Sequence, residues 1–242
     1  MNIVIIGAAG GIGSALCNHF SENHNLFMGS RDEAKLSKLK DSISSNNKYD
    51  ISTVDVTNFD SIETFMSAAH EYLGSINYIV NCSGSLLLKP AHITSENDLD
   101  QIFKTNVYSC FGIMKSSYKF LRTNGGGIIL FSSAASKVGL KNHEAIASAK
   151  GAISSFVVSA ASTYASNNIR INAIAPGLVD TPLTKRITNN KASLDYSKKM
   201  HALDRIGNPE NFIPLLDSLV DERSDWITGQ TFFIDGGLSN IK

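Results

Sequence analysis

The feature that most constrains the fold is a glycine-rich turn near the N-terminus, Gly7-Ala8-Ala9-Gly10-Gly11-Ile12-Gly13. The residues before it, 2–6, form an apolar run typical of a buried strand, and after it Ile12, Leu16 and Phe20 follow the spacing of one helix face. Glycines at such a junction allow a tight turn and let backbone N–H groups approach a phosphate at the positive end of a helix. The pattern predicts a dinucleotide-binding turn whose contact residues are Gly7, Ala9, Gly11, Ile12 and Gly13.

The rest of the chain repeats this alternation of short apolar runs and amphipathic stretches. Helical spacing is found in a stretch capped by Asp60 with Glu63, in a long stretch over residues 96–121, and over 145–164. Further strands are predicted at residues 25–28, 51–54, 76–80, 128–131, 169–175 and 231–234. Unbroken apolar strands that alternate with helices are typical of a parallel sheet covered on both faces. We therefore predict one α/β domain over residues 1–242, a Rossmann-type doubly wound parallel sheet of about seven strands.

One segment breaks this alternation. The residues from about Leu183 to Leu203 are polar and have little periodicity, and they lie between the sixth strand and the last helix. We expect a mobile loop or short helices over a site there, not a domain boundary.

Composition and charge exclude several classes of function. The 22 basic and 22 acidic side chains cancel, which argues against a nucleic-acid surface or an anionic-membrane binder. The N-terminus lacks a basic region and a cleavage site, and no apolar run reaches about 18 residues, so neither a signal peptide nor a membrane span is expected. Cys17, Cys82 and Cys110 lie far apart without CxxC pairing. Free thiols, no metal site and a cytoplasmic location are therefore expected.

The glycine turn has the spacing G-x-x-x-G-x-G, and further motifs follow it: Asn81-Cys82-Ser83-Gly84 after the fourth strand, Pro176-Gly177 after the sixth, and residues 227–230 and 235–237 near the C-terminus. In order and spacing, these motifs resemble those of the short-chain dehydrogenase/reductase family over essentially the whole chain. Residues 81–84 are similar to the family's N-N-A-G stretch. Pro176-Gly177, with Val179 and Thr181, is similar to the segment that holds the nicotinamide carboxamide, and the C-terminal signature is matched by residues 227–230 and 235–237. The resemblance implies hydride transfer between a nicotinamide dinucleotide and a small carbonyl or alcohol substrate.

The second strand ends in residues that bear on which dinucleotide binds. An acidic side chain there would bond the ribose hydroxyls of NAD, whereas Arg31, with Ser30, offers a charged fork for a 2′-phosphate. Arg31 could equally begin a solvated helix face, and Asp32 follows at once. We expect NADP(H) to be favoured over NAD(H), with Asp55 and Val56 near the adenine by resemblance.

The family's catalytic set is Asn, Ser, Tyr and Lys, and this chain resembles it in three of the four. Asn106, Ser133 and Lys150 match, but the position four residues before Lys150 holds Ile146 where the family has the tyrosine acid. An isoleucine side chain has no proton to give. Because Lys150 also holds the nicotinamide ribose in the family, it is expected to serve both cofactor and chemistry.

Three interpretations of this gap stay open. His143 lies near the same helix face, and because histidine as a residue type exchanges protons near neutral pH it is a candidate proton donor, with Glu144 a weaker one. Alternatively, a water held by Lys150, Ser133 and Asn106 relays the proton. In the third interpretation the protein binds NADP(H) without redox turnover, as a regulatory or interaction module.

The remaining expectations concern the substrate and the assembly. The family's loops imply pocket walls at Ser85, Leu86, Ser136, Val138, Leu178 and Leu183, which suit a small or moderately apolar substrate. The family also implies a homo-oligomer, a tetramer or dimer, paired through helices near residues 103–120 and 145–164. Small residues in the second helix would permit close approach: Ala145, Ala149, Ala152, Ala160 and Ala161.

Overall fold

The computed structural model describes residues 1–241, and within them seven parallel strands form one sheet. The strands are β1 (Asn2–Ile6), β2 (Asn25–Ser30), β3 (Tyr49–Thr53), β4 (Tyr78–Asn81), β5 (Gly126–Phe131), β6 (Ile169–Pro176) and β7 (Thr231–Ile234). Their order across the sheet is β3-β2-β1-β4-β5-β6-β7, so the chain reverses direction of travel between β1 and β4. The predicted doubly wound sheet is confirmed, and its switch point, where such folds bind ligands, lies at these two strands.

Helices cover both faces of the sheet. They are α1 (Gly11–Ser21), α2 (Glu33–Ser42), α3 (Phe59–Leu73), α4 (Glu96–Phe103), α5 (Ser109–Leu121), α6 (Glu144–Tyr164), α7 (Lys185–Thr188), α8 (Lys191–Met200) and α9 (Ile213–Val220). One core packs α3, α5 and α6 against the sheet, and the other packs α1, α2 and α9 against the opposite face. The central strands are buried on both sides and are therefore mostly apolar, although β6 also buries the polar side chains of Arg170 and Asn172.

The structure corrects several predicted boundaries. The cap of α3 is Asn58, whose side chain accepts hydrogen bonds from the N–H groups of Asp60 and Ser61, so the assignment of the cap to Asp60 was wrong. Asn and Asp are both good caps, and sequence alone did not separate them. Strand β2 reaches Ser30, two residues beyond its predicted end, which brings Ser30 and Arg31 to the carboxyl edge of the sheet.

The long helical pattern over residues 96–121 is interrupted. Between α4 and α5 the segment Lys104–Tyr108 forms a π-helical turn, which holds one residue more than an α-helical turn. Asn106 lies at its centre and is buried. The periodicity that predicted one helix does not reveal this local widening.

The polar segment after β6 contains the short helices α7 and α8, which matches one of the two predicted forms. By length and composition the stretch Glu144–Asn167 is apolar enough to cross a membrane. Its side chains Ile153 and Val157 instead pack in the core against the sheet. A buried core helix meets the same criteria, so this stretch carries no argument for a membrane.

Candidate active site

The glycine turn closes tightly over the carboxyl ends of β1 and β4. Gly7 has a φ of +78°, and a Cβ there would lie 2.5 Å from the backbone nitrogen of Ser83. A Cβ at Gly13 would lie 2.2 Å from the carbonyl oxygen of Gly7. Only glycine fits at these two positions, so the turn lies flat at the start of α1, where a phosphate can approach backbone N–H groups.

A cavity of about 770 Å³ runs along this turn, and we call it the phosphate cavity. It extends from the end of β2 to the loop after β6. Its walls contain many of the predicted cofactor residues: Gly7, Ala9, Gly11, Ile12, Gly13, Ser30, Arg31, Val56, Cys82, Ser83, Gly84 and Thr181. A flat, glycine-built cradle with one cationic end has the shape and chemistry that a phosphorylated dinucleotide needs.

Two predicted cofactor residues support this cavity from outside its walls. Asn81 is buried at the end of β4 and accepts hydrogen bonds from the backbone N–H and hydroxyl of Ser83, which fixes the loop. Asp55 accepts from the backbone N–H of Thr57, and this bond is the main cause that lowers the pKa of the Asp55 carboxyl. Both residues shape a turn at the carboxyl edge of the sheet.

The charges at the β2 end of the phosphate cavity favour an anion. Asp32 caps α2 by accepting the N–H of Lys35, and its carboxylate pairs with Lys35 Nζ at 2.8 Å. The hydrogen bond from the Lys35 side chain is the main cause that lowers the pKa of Asp32. Because Lys35 engages that carboxylate, Arg31 is left as the exposed cation beside Ser30. Lys35 also lines the cavity, although its sequence pattern did not predict this position.

A second cavity of about 600 Å³ joins the first, and we call it the lysine cavity. The two share part of their walls: Ile12, Cys82, Ser83, Gly84, Thr181 and Leu183. The lysine cavity brings together Ser133, His143, Ile146 and Lys150, together with the predicted residues Pro176, Gly177 and Val179. A ligand that spans both cavities would therefore present one end to Lys150.

Lys150 is the one buried cation of this cavity's wall within residues 1–241. Its Nζ donates to the carbonyl oxygen of Phe131 at 2.7 Å, and burial lowers its pKa to about 8. A Cβ on Gly84 would lie 3.5 Å from Nζ, so the loop after β4 passes close to the amine. Near neutral pH, Lys150 is therefore a charged donor in a largely apolar wall.

Asn106 lies behind the wall, not in it. Its side-chain amide donates to Ser85 Oγ at 3.0 Å and to the Ile102 carbonyl at 2.9 Å, and its Oδ1 accepts the N–H of Ser85. The π-helical turn positions it for these bonds. Through its bonds to Ser85, Asn106 holds the loop after β4 in place.

Ile146 contributes only hydrocarbon to the lysine cavity. It is 3% exposed and packs in a small cluster with Ile102, Val107 and Ala149. Ser133 lines the same cavity. Its Oγ accepts the N–H of Ala135, so its own hydroxyl proton stays available to a ligand.

His143 lies on the rim of the lysine cavity at the residue before α6. Its Nδ1 contacts the carbonyl oxygen of Lys141 at 2.7 Å, and because a carbonyl only accepts, Nδ1 carries the hydrogen. The Nε2 atom is then the nitrogen free for a ligand. The short helix α8 adds Tyr196 to the same wall, where its side chain is two-thirds exposed, and no sequence motif predicted this position.

Four of the six predicted wall residues line the lysine cavity: Ser85, Leu86, Leu178 and Leu183. Ser136 and Val138 do not, because Ser136 turns back to donate to the Ser133 carbonyl in the turn after β5. Apolar side chains from the loop before α6, from α7 and α8, and from the C-terminal turn take their place: Leu140, Ile187, Met200 and Leu238. The wall is more apolar than predicted.

The cysteines are free thiols, and Cys82 lies in the walls of both cavities. Burial raises its pKa well above the ordinary value, so it stays a protonated thiol. Within residues 1–241, His, Cys, Asp and Glu side chains form no group of three or more that could hold a metal ion.

Comparison with known proteins decides the family. A family model described as enoyl-(acyl carrier protein) reductase matches residues 7–239. The chain belongs to the short-chain dehydrogenase/reductase family. It is 30% identical to a chloroplastic tropinone reductase homolog of Arabidopsis thaliana, over 99% of this chain and 76% of that protein. It is 28% identical to the 3-oxoacyl-[acyl-carrier-protein] reductase FabG of Chlamydia muridarum, over 98% of this chain and 96% of the relative.

Solved structures agree with this assignment. A short-chain type dehydrogenase/reductase from Mycobacterium ulcerans has a TM-score of 0.91 at 22% identity and covers 99% of this chain and 90% of its own, which supports the fold. The protein ElxO with NADP bound has a TM-score of 0.89 at 27% identity and covers 98% of both chains. The chain is therefore an oxidoreductase of this family in fold and ancestry.

Proposed function

We propose that this protein is an NADP(H)-dependent oxidoreductase that interconverts an apolar carbonyl compound and its alcohol. The observation that carries the proposal is the joined pair of cavities. One has a glycine cradle and the Arg31 cation, and the other has Lys150 and Ser133 in an apolar wall. Bound NADP(H) would supply or accept the hydride. The relative ElxO has been solved with NADP, which supports the same cofactor here.

Different groups of residues would hold different parts of the cofactor. The backbone of the glycine turn would hold the pyrophosphate at the start of α1, and Arg31, with Ser30, would hold a 2′-phosphate. Asp55 and Val56 would lie by the adenine. Asn81 fixes the loop of Cys82, Ser83 and Gly84 under the ligand, and Pro176, Gly177, Val179 and Thr181 would hold the nicotinamide end.

The chemistry at the substrate oxygen rests on two side chains. Ser133 would donate its hydroxyl proton to that oxygen as a hydrogen bond, and Lys150 would place a positive charge nearby. Lys150 would also hold the nicotinamide ribose, while Asn106 keeps the loop at Ser85 in place. These groups polarise a carbonyl, but neither replaces the acid that the family draws from tyrosine.

We propose that Ile146 occupies the position of that tyrosine and that His143 is the proton donor. The free Nε2 of His143 on the cavity rim supports this role, since histidine donates and accepts protons near neutral pH. A water held near Ser133 and Lys150 is the alternative. The phenol of Tyr196 is a second acid on the same wall, and the variants below separate the three.

A turnover screen with NADPH and apolar ketones and aldehydes tests the function. We expect slow to moderate reduction. His143→Ala should lower kcat at least tenfold and remove an inflection of the pH profile near neutrality, while Tyr196→Phe leaves both unchanged. If only Tyr196→Phe slows the reaction, the donor is Tyr196, and if neither variant does, it is water. If NADPH raises the melting temperature but no substrate turns over, the protein is a binding or regulatory module.

We also propose that two copies pair through the outer faces of α5 and α6. Tyr108, Phe111 and Val158 are more than half exposed there, and Phe111 packs against Phe156 with ring centroids 4.8 Å apart. Of the five alanines expected at this contact, only Ala152 is partly exposed, and the other four are buried in the chain's own core: Ala145, Ala149, Ala160 and Ala161. Light scattering at micromolar concentration should give a dimer or tetramer, and Val158→Glu should shift it toward monomer. The single-domain organisation and the cytoplasmic location stay predictions.

A further inference from the structure

A buried histidine joins the segment that follows β6 to the helix that covers the lysine cavity. His201 follows α8 directly and is 3% exposed. Its Nδ1 lies 2.7 Å from the Ser197 carbonyl oxygen, and its Nε2 lies 3.2 Å from the backbone nitrogen of Leu178. A carbonyl only accepts and an amide N–H only donates, so Nδ1 carries the hydrogen and Nε2 accepts. One neutral tautomer satisfies both contacts.

The backbone around Leu178 is built to let the imidazole in. A Cβ on Gly177 would lie 2.7 Å from His201 Nε2 and 3.0 Å from the Cα of Asp235, so only glycine leaves room at that position. The carbonyl oxygen of Leu178 accepts the N–H of Gly207 at 2.8 Å, which holds the segment from its other side. Without the imidazole, the Leu178 N–H would lose its partner in a half-buried position.

The segment held in this way lines the lysine cavity. Pro176, Gly177, Leu178 and Val179 all contribute to that wall, and so do Ser197 and Met200 of α8. Because one side chain bonds to both parts, the position of the segment after β6 is tied to the position of α8 over the cavity.

We propose that His201 is a positioning residue that latches the nicotinamide-facing segment to α8 through the Leu178 N–H. The imidazole borders the lysine cavity, but both of its ring nitrogens are engaged by the protein, so neither is free to bond to a ligand. The part of this inference that concerns nicotinamide rests on the proposed function, whereas the latch itself does not.

Two near-isosteric substitutions separate the halves of the latch. In His201→Gln the side-chain oxygen reaches the position of Nε2 and accepts the Leu178 N–H. In His201→Asn the shorter amide reaches only the position of Nδ1 and keeps the bond to Ser197. Both variants are polar, but Asn is one methylene smaller, so a general loss of packing is tested separately with a second ligand.

The test is hydrogen exchange of the Leu178 amide in the protein without ligand, followed by binding of two ligands. We expect His201→Asn to exchange this amide at least tenfold faster than the wild type, and His201→Gln to stay within threefold. NADPH should bind His201→Asn at least fivefold more weakly and His201→Gln nearly normally. Adenosine 2′,5′-bisphosphate, which reaches only the phosphate cavity, should bind all three proteins equally.

Other outcomes are equally decisive. Wild-type exchange at Leu178 in His201→Asn would overturn the latch. Faster exchange with unchanged NADPH affinity would overturn the positioning role, and equal weakening of both ligands would show a general structural defect instead. If the wild type binds no NADPH, the proposed function fails, and the exchange result alone then decides whether the latch exists.

Discussion

The phosphate cavity is lined mostly by backbone, whereas the lysine cavity is lined mostly by side chains. The first is mostly backbone, a glycine turn over two strand ends, with charge added at one end by Arg31. The second is mostly side chain, contributed by the loops after β4 and β5, by α6 and by the short helices after β6. A backbone cradle tolerates few sequences, whereas a side-chain wall can change one residue at a time. Under the proposed function, this difference would let the second cavity hold Ile146 at the position of the acid while the first keeps its glycine turn.

The largest expected effect lies in the lysine cavity. Lys150→Met keeps the apolar stem but removes the cation, and we expect kcat/KM for carbonyl reduction to fall by roughly a hundredfold or more, within the range of lost acid–base and charge assistance. Steady-state kinetics checks this, with Lys137→Met, an exposed lysine after β5, as the control. If activity survives within threefold, the lysine cavity does not hold the chemistry.

The next effect is a gain at the side-chain wall. Ile146→Tyr should raise kcat at least tenfold by restoring a phenolic acid, at a cost of about 1–3 kcal/mol in unfolding free energy because the cluster around Ile146 is already packed. Ile146→Phe is the matched control, since it adds the ring without the hydroxyl. Equal rates in the two variants would mean that a phenolic acid at position 146 is not enough to speed the reaction.

The third effect belongs to the phosphate cavity alone. Arg31→Ala should weaken NADPH binding by about tenfold or more, because a charge-assisted hydrogen bond to a phosphate contributes about 1.5–3 kcal/mol. Binding of NADH should stay the same. Calorimetry with both cofactors measures this, and equal affinity of the wild type for the two would contradict the proposed preference.

The smallest effect is a pH dependence that follows from burial. Lys150 has a pKa of about 8, so its charge is present below that pH and is lost above it. Between pH 7.5 and 8.5 the rate should fall by about threefold, in proportion to the charged fraction. Arg31→Ala should show the same decline, and a rate that rises over this interval would mean that Lys150 acts as a neutral base.

The same contrast separates what the sequence could predict from what it could not. The strand alternation and the glycine turn follow from local periodicity and local geometry, so the sheet and the phosphate cavity were predictable. The wall of the lysine cavity depends on where residues 183–203 fold back, which no period encodes. Tyr196 and His201 therefore entered the site only through the structure, and Ser136 was placed in it wrongly.

The π-helical turn Lys104–Tyr108 makes chain length in this region a functional quantity. Removing any one of its residues would narrow it to an α-helical turn, so that α4 and α5 would join as a single regular helix. The side chain of Asn106 would then lose the position from which it bonds to Ser85. We expect single-residue deletions here to abolish folding or activity, while a deletion at Asn189-Asn190 is absorbed by its loop, and a deletion scan would show the asymmetry. Insertions and deletions are thus expected only in the outer loops, whereas the helical stretch from α4 to α5 can change only by substitution.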